Sequence, residues 1–382
     1  MSIISLGIID KRLLFPLAYI IVNICVNIYW EYQEYNIVSF FIESFGYSIG
    51  QMLGIILSKV FKYRRVVKHK KTLEKNYFKD FFFLSLFNAF YFLSEFFETY
   101  YENYIEEDEV IIELYINDAI EIIFITLITY FFLKYKYYKH HFISIAAFIL
   151  FSSIIDISLK NFSRANVFLV INSIIYVFSD SLLYSYYKYL FQYKYYYLLD
   201  ILVINGIICL AISVVSFIII LFIPDIQDSK TIITLFSEYY DQLGIGQLII
   251  QIFLCVFLSG FLICFLELII LNELTPNYVI IGYELGKIPI SIFANEGVNR
   301  WIVLIVSIFQ IISLLFYLEI FECNFCSLNN NTKRSISERG QKQEEDNGED
   351  NEIIYKGYDI SEMVKQTENN IELEDKETKY DS

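Results

Sequence analysis

The strongest constraint on this chain is a series of apolar runs close to 20 residues long, separated by short polar stretches. A helix of about 20 apolar residues crosses the roughly 30 Å hydrocarbon core of a bilayer. Of the 382 residues, 56% are hydrophobic and 19% are aromatic, which is more apolar surface than a soluble domain of this size needs. The chain is therefore predicted to be an all-α, polytopic membrane protein whose first partner is the lipid bilayer.

Ten such segments can be marked, and the stretches between them are predicted to be loops. The segments are 13–30, 36–60, 81–97, 110–133, 142–159, 167–191, 197–223, 247–271, 277–293 and 301–321. Loops rich in lysine and arginine favour the cytoplasmic side. The basic loops follow the second, fourth and sixth segments and an acidic loop follows the third, so both termini are predicted to be cytoplasmic. The loop with Lys160 and Arg164 is an exception.

The chain turns polar and densely charged after the last segment. Low hydrophobicity with dense charge is typical of disorder. Residues 326–382 are therefore predicted to form a disordered, acidic cytoplasmic tail, either a solvated end with no specific role or a binding segment. Cys323 and Cys326 form a CxxC pair at its start. Without a second pair, membrane-proximal acylation is a better hypothesis than zinc binding.

Charged residues inside the segments need an explanation, because each costs at least about 2.5–3.5 kcal/mol at a helix centre. Lys287 is identified as the only basic residue well inside a segment. Glu95 and four other acidic residues lie near segment ends, where they can reach the interface. The deeper acidic residues are Glu43, Asp118, Glu121, Asp180, Glu267 and Glu284. Asp118 and Glu121 are three residues apart and share a helix face, as do Glu284 and Lys287.

The ninth segment combines three further features. Gly282 and Gly286 form a GxxxG motif, which lets another helix approach closely and predicts a homodimer contact. Pro289 cannot donate to the carbonyl of Leu285, so the helix is expected to bend there. Bent helices at mid-membrane are common where transporters bind substrate. Lys287 lies within one turn of these features, and the pattern favours a substrate site, with an internal Glu284–Lys287 salt bridge as the structural alternative.

Catalytic patterns are missing from the sequence. His69, His140 and His141 all lie in predicted loops, and no HExxH, GxSxG or nucleotide-binding loop is present. We therefore expect no enzymatic activity, no cofactor, no metal site and no nucleic-acid partner.

Several stretches resemble the drug/metabolite transporter superfamily, and within it the branch with nucleotide-sugar and triose-phosphate transporters. The stretches are ITLITYFFLKYKYYKHHFISIAAFILFSSIIDI, LVINSIIYVFSDSLLYSYYKYLFQYKYYYLLDILVINGI, and ELTPNYVIIGYELGKIPISIF with NRWIVLIVSIFQIISLLFY. Thr275-Pro276 stands where the family often has Ser-Pro. Lys287 stands at the ninth-helix lysine that contacts anionic substrate in the phosphate-binding branch. The chain departs from the family in Glu284, in its acidic third loop, and in having no second intramembrane basic residue.

The resemblance implies ten helices in two inverted five-helix halves, residues 1–160 and 161–325, with a central cavity. It implies a secondary transporter in the Golgi, the endoplasmic reticulum or the plasma membrane. The substrate would be a small polar or anionic metabolite, such as a nucleotide sugar or sugar phosphate. Lys287 would contact its negative group, Glu284 would tune that contact, and Tyr283 would hydrogen-bond or stack. Asp180 would balance charge or carry a proton, and Asp118 and Glu121 are predicted to belong to the same substrate site.

Two other functions stay open at this point. The chain could be a non-transporting membrane scaffold or receptor that acts through its acidic tail. An ion channel is the weakest alternative, because no segment repeats polar residues along one face in a way that would line a pore.

Overall fold

The computed structural model describes residues 11–31, 36–56, 77–102, 117–135, 137–159, 167–223, 231–294 and 298–317. This part of the chain is helical, and no strand occurs in it. Each of the ten apolar segments contains a helix or part of one. The predicted tail and the CxxC pair lie outside the described residues.

Eleven α-helices and one π-helix are described in these ranges. The α-helices are α1 Lys11–Glu31, α2 Ile37–Met52, α3 Tyr77–Glu102, α4 Asn117–Phe131, α5 Lys139–Leu159, α6 Val167–Gln192, α7 Leu198–Leu221, α8 Ile232–Phe253, α9 Cys264–Glu273, α10 Asn277–Ala294 and α11 Val298–Tyr317. The π-helix, Leu254–Ile263, connects α8 to α9. The first part of α8 lies outside every predicted segment, and the apolar pattern of the sequence does not predict it.

Four described stretches are long and apolar enough to cross a membrane. They are Tyr77–Tyr100, Leu198–Leu221, Ile232–Glu273 and Arg300–Tyr317. Large apolar side chains such as Ile219 and Phe222, which are 59% and 82% exposed, cover the outside of the bundle. Soluble monomers rarely expose apolar surface on this scale, whereas a lipid environment accommodates it. These are the features of a membrane protein.

The helices pack in a pattern that places residues distant in sequence side by side. α1 packs along α10, α2 along both α7 and the π-helix, α3 and α4 along α6, and α5 along α11. Glycines bring α2 and the π-helix into backbone contact. A Cβ atom at Gly46 would lie 2.5 Å from Cys255 Cβ, and one at Gly260 would lie 2.6 Å from the Tyr47 carbonyl oxygen. Both positions therefore require glycine.

The GxxxG motif of α10 has a partner within the same chain. A Cβ atom at Gly282 would lie 2.9 Å from the Tyr19 ring, and one at Gly286 would lie 2.8 Å from Asn23 Cβ. Both contacts are with α1. The glycine face is therefore covered by α1, and the predicted homodimer through Gly282 and Gly286 would have to displace that helix.

Three short turns meet at one end of the bundle, at residues 132–135 with 137–138, at residues 193–197 and at residues 274–276. We name this the turn end. Two of the turns close with the same cap: Tyr135 N donates to Thr129 O, and Tyr196 N donates to Leu190 O. The residue before each donor has a positive φ, 54° at Lys134 and 52° at Tyr195. The positive φ turns the chain at each helix end so that a backbone N–H satisfies a carbonyl group of the last helical turns.

Candidate functional site

Buried neutral amides link four helices of the bundle. Asn205 Nδ2 of α7 donates to Gln51 Oε1 of α2 at 2.9 Å, and Asn88 Nδ2 of α3 donates to Asn205 Oδ1 at 2.8 Å. Gln51 Nε2 also donates to Cys264 Sγ of α9 at 3.5 Å. We name Gln51, Asn88 and Asn205 the amide network. Its groups bond to one another and to neighbouring groups such as Cys264, and they carry no charge, which suits a structural role.

A second neutral network closes the turn end. Thr129 Oγ1 and Tyr137 OH lie 2.7 Å apart, and Thr275 Oγ1 and Tyr317 OH lie 2.9 Å apart. Asn277 Nδ2 donates toward Tyr317 OH at 3.4 Å and toward Tyr137 OH at 3.5 Å. Burial raises the pKa of the Tyr137 hydroxyl, so this group stays neutral at physiological pH. The network fastens α4, α10 and α11 to each other.

Charged and tyrosine side chains from several helices meet in a third group, which we name the central cluster. Its carboxyl groups come from α3, α4, α6, α9 and α10, and its ammonium group comes from α10. The members are Tyr19, Tyr91, Glu95, Glu121, Tyr176, Asp180, Tyr184, Glu267, Tyr283, Glu284 and Lys287.

The α10 part of the cluster brings three of the predicted site residues together. Lys287 Nζ lies 3.1 Å from Glu284 Oε1 and 4.3 Å from the centre of the Tyr283 ring. The lysine thus has an ion-pair partner and a cation–π partner on its own helix. The Lys287 side chain is 36% exposed and that of Glu284 is 10% exposed. Lys287 therefore remains partly accessible, and Glu284 occupies one side of its ammonium group.

The α6 part of the cluster joins two further predicted residues. Asp180 lies beside Glu121 of α4, and Ser181 Oγ donates to the Glu121 carbonyl oxygen at 3.3 Å. Asp118 lies on α4, but its side chain is outside the described part, so its predicted pairing with Glu121 stays a prediction.

Tyrosines connect the carboxyl groups of the cluster. Tyr19 OH of α1 donates to Glu267 Oε1 at 2.8 Å. Tyr91 OH and Tyr176 OH lie 3.0 Å apart. Tyr176 is close enough to Asp180 and to Tyr283 to interact electrostatically with both. Tyr176 therefore links the α10 part of the cluster to the α6 part.

The cluster is enclosed by protein yet keeps accessible surface. Asp180, Glu95 and Glu267 are surrounded on all sides by neighbouring helices, but each is only half-buried. Tyr283 is 38% exposed although it faces Tyr19 and Tyr176. These groups therefore lie among several helices and keep some accessible surface. A cluster of carboxylates and aromatic rings favours cations, either protons or positively charged molecules.

The structure corrects the sequence analysis on two charged residues. Glu95, which was assigned to the interface, lies near Asp180 and Glu43 within the bundle. Lys188 is a second lysine inside an apolar segment, and it is only 2% exposed. Its Nζ donates to the Asn272 carbonyl oxygen at 3.0 Å, at the C-terminal end of α9. There it satisfies a free carbonyl and complements the helix dipole, so Lys287 is not the only lysine within the segments.

Four tyrosines of the cluster were also missed. Tyr19, Tyr91, Tyr176 and Tyr184 are four among 33 tyrosines in the chain, and no motif distinguishes them. A usable signal is their spacing from a carboxylate on the same helix: Tyr91 is four residues before Glu95, and both Tyr176 and Tyr184 are four residues from Asp180. Four-residue spacing places the pairs on one helix face.

Across the described residues, no group of three or more His, Cys, Asp or Glu side chains is arranged to hold a metal ion.

Comparisons with known proteins give a fold likeness and no family. No family model matches the chain, and no curated protein matches it. A solved structure described only as "Crystal structure of protein" matches over 81% of this chain and 98% of that chain, with a TM-score of 0.52 and 11% sequence identity. At that identity the likeness concerns the fold alone.

Proposed function

We propose that this chain is a secondary transporter that works by alternating access, with the central cluster as its substrate site. The observation that carries the proposal is the convergence of Glu95, Asp180 and Glu267, from three different helices, on an enclosed but partly accessible site. Ionisable groups inside a membrane bundle are costly, and they usually mark substrate or ion pathways.

The packing of the helices supports two inverted five-helix halves. In an inverted repeat, each contact between two segments is repeated when every segment is exchanged for the one five places away. The first segment packs on the ninth (α1 on α10), and the corresponding contact of the sixth with the fourth (α6 on α4) is also present. The second packs on the eighth (α2 on the π-helix), and the corresponding contact of the seventh with the third (α7 on α3) is present too. The contact of the fifth with the tenth (α5 on α11) and that of the second with the seventh (α2 on α7) are each their own counterpart under this exchange. The described helices thus follow the contact pattern expected of ten spans in two related halves.

The charge of the cluster favours a substrate with a positive group. Its acidic members are Glu95, Glu121, Asp180, Glu267 and Glu284, and its basic member is Lys287. Lys287 is already paired with Glu284. A cationic group can replace protons on the carboxylates and lie against the tyrosine rings, so we propose a small polar metabolite with an amine or another basic group.

An anionic metabolite is the second candidate, because Lys287 is partly exposed and an anion could displace Glu284 from it. The non-transporting scaffold is a further alternative, and it rests on the acidic tail alone. By resemblance we place the protein in an endomembrane, with the plasma membrane as the alternative.

An uptake panel tests the proposal. The purified protein is reconstituted in liposomes, and uptake of labelled amines, sugar phosphates, nucleotide sugars and neutral amino acids is measured. We expect saturable uptake of at least one amine, lost in Glu267→Gln and retained in Asp200→Asn, since Asp200 is exposed at the start of α7. Uptake of a sugar phosphate that is lost in Lys287→Ala would favour the second candidate. If protein that is shown to be folded takes up none of these compounds, the carrier proposal is contradicted. If truncation of the chain at Asn329 then abolishes the cellular role of the protein, the scaffold alternative is favoured.

A further inference from the structure

The first part of α8, residues 232–243, is a separate short helix with a sharp boundary. It begins after Thr231, whose side chain accepts a hydrogen bond from Thr234 N at 3.4 Å. It ends at Gly244, where φ is 72° and ψ is 162°, a conformation that is essentially restricted to glycine. A Cβ atom at Gly244 would meet nothing within 4 Å. Glycine is therefore required there by the backbone conformation and not by crowding, as expected of a hinge.

The 232–243 helix packs on the bundle through aromatic and aliphatic contacts. Its Phe236 ring lies 5.8 Å from the Phe217 ring of α7, and Phe217 in turn lies 5.2 Å from Phe41 of α2. Ile232 is completely buried beside Ile220, near the end of α7. These contacts hold one face of the helix on the ends of α2, α3 and α7. The opposite face is open, and Ile233 there is 69% exposed.

One polar contact fastens this helix to the remainder of α8. Tyr239 OH donates to Gln251 Oε1 at 3.1 Å, and the two residues are 6% and 0% exposed. The contact thus holds the 232–243 helix against the second part of α8.

The same helix lies at the end of a row of polar groups that leads to the central cluster. Tyr239 lies near Cys255 of the π-helix and near Tyr29 of α1. Cys255 is near Glu43, and Glu43 is near Glu95 in the cluster. The row therefore connects the buried face of the 232–243 helix with the cluster.

We propose that the 232–243 helix is a hinged lid over this end of the bundle, with Gly244 as its hinge and the Tyr239–Gln251 hydrogen bond as its latch. The inference rests on the proposed function for what passes beneath the lid, a substrate moving to or from the central cluster. The hinge and the latch themselves rest only on the geometry of α8.

Thiol labelling can report opening of the lid. Ile220 is 1% exposed beneath the 232–243 helix, so Ile220→Cys places a reporter there. The reporter protein in liposomes is treated with a water-soluble maleimide, and labelling of each cysteine is followed by mass spectrometry. Cys264, which is 3% exposed in the bundle core, serves as the internal standard. We expect Tyr239→Phe to raise the labelling rate of the reporter about fivefold, the effect of losing one neutral hydrogen bond. Gly244→Ala should raise it about tenfold, because alanine is strained at that φ.

Two matched variants separate the lid from general loosening. Tyr240 is the neighbour of Tyr239 but is 45% exposed, and Gly246 is as uncrowded as Gly244 without its φ of 72°. Tyr240→Phe and Gly246→Ala should leave the labelling rate unchanged. Unchanged labelling in Tyr239→Phe and Gly244→Ala would overturn the lid, as would an equal rise at Cys264, since that rise would report unfolding. If the labelling shows that the lid opens but no tested compound is taken up, the lid proposal is supported and only the carrier proposal is rejected.

Discussion

The amide network and the central cluster are both polar groups buried among apolar helices, but they differ in chemistry. Gln51, Asn88 and Asn205 are neutral and bond to one another over 2.8–2.9 Å. Their exposed fractions are 1%, 4% and 5%. Asp180 and Glu267 are ionisable, come from different helices and remain half-buried. The amides thus have the closed, saturated arrangement of a structural contact, whereas the carboxyl groups have the open arrangement of a binding site.

This difference shows which buried polar groups in a membrane bundle should carry function. Hydrogen bonds between neutral side chains hold helices together at modest gain. Ionisable groups cost far more to bury, so a chain that keeps several of them in one accessible place gains something other than stability. Variants of the two groups should therefore separate stability from transport.

The largest effect is expected for transport in Glu95→Gln. The substitution keeps the shape of the side chain and removes its charge. Losing a hydrogen bond to a charged group costs about 1.5–3 kcal/mol, so uptake should fall about 10- to 100-fold. The measurement is the initial rate of uptake into liposomes. Asp200→Asn is the control, because Asp200 is exposed at the start of α7. Equal uptake rates for Glu95→Gln and Asp200→Asn would mean that Glu95 lies at the membrane interface and not in the substrate site.

The next effect is expected for stability in Asn205→Leu. Leucine removes the acceptor of Asn88 and the donor of Gln51 and leaves both of those groups buried. The unfolding free energy should fall by about 2 kcal/mol, as measured by denaturant unfolding in detergent. Substrate affinity of the folded fraction should stay unchanged. A loss below about 0.5 kcal/mol would mean that the amide network is not a structural contact.

The smallest effect concerns the turn end. Tyr137→Phe removes the contact with Thr129 and should lower the unfolding free energy by about 1 kcal/mol. Burial raises the folded-state pKa of Tyr137. The contribution of the Tyr137 hydroxyl to the unfolding free energy is therefore fully present below about pH 10, the pKa of an unfolded tyrosine, and decreases above it. The difference between wild type and Tyr137→Phe should therefore be constant between about pH 6 and 9 and decrease above about pH 10. A difference that changes near pH 7 would identify another titrating group at the turn end.

The helices were predictable because a bilayer sets their length, and each apolar segment contains described helix. Residues 232–243 were missed because a short amphipathic helix with Glu238 and Asp241 does not form an apolar run. Packing partners were also beyond the sequence. Gly282 and Gly286 identify a close helix contact, but only the folded chain shows that the neighbour is α1.

The charged half of the candidate site was predictable in part. Lys287, Glu284 and Tyr283 were found because a charge interrupts an apolar run and helical spacing places the three on one face. Glu95 was misplaced because depth was judged from the nearest segment end, whereas its surroundings depend on which helices pack beside it. The amide network left no signal, since neutral Asn and Gln occur within apolar segments without a charge to mark them.

The most direct test of the account compares the unfolding free energy of Asp180→Asn with that of Asn205→Leu, measured in the same detergent. Asp180→Asn removes a carboxyl group from a crowded acidic cluster and keeps its shape. If the cluster is a binding site, the Asp180→Asn protein should be as stable as the wild type, within about 0.5 kcal/mol, or more stable, while Asn205→Leu loses about 2 kcal/mol. An equal loss in the two variants would contradict the account, because the central cluster would then be a structural contact like the amide network.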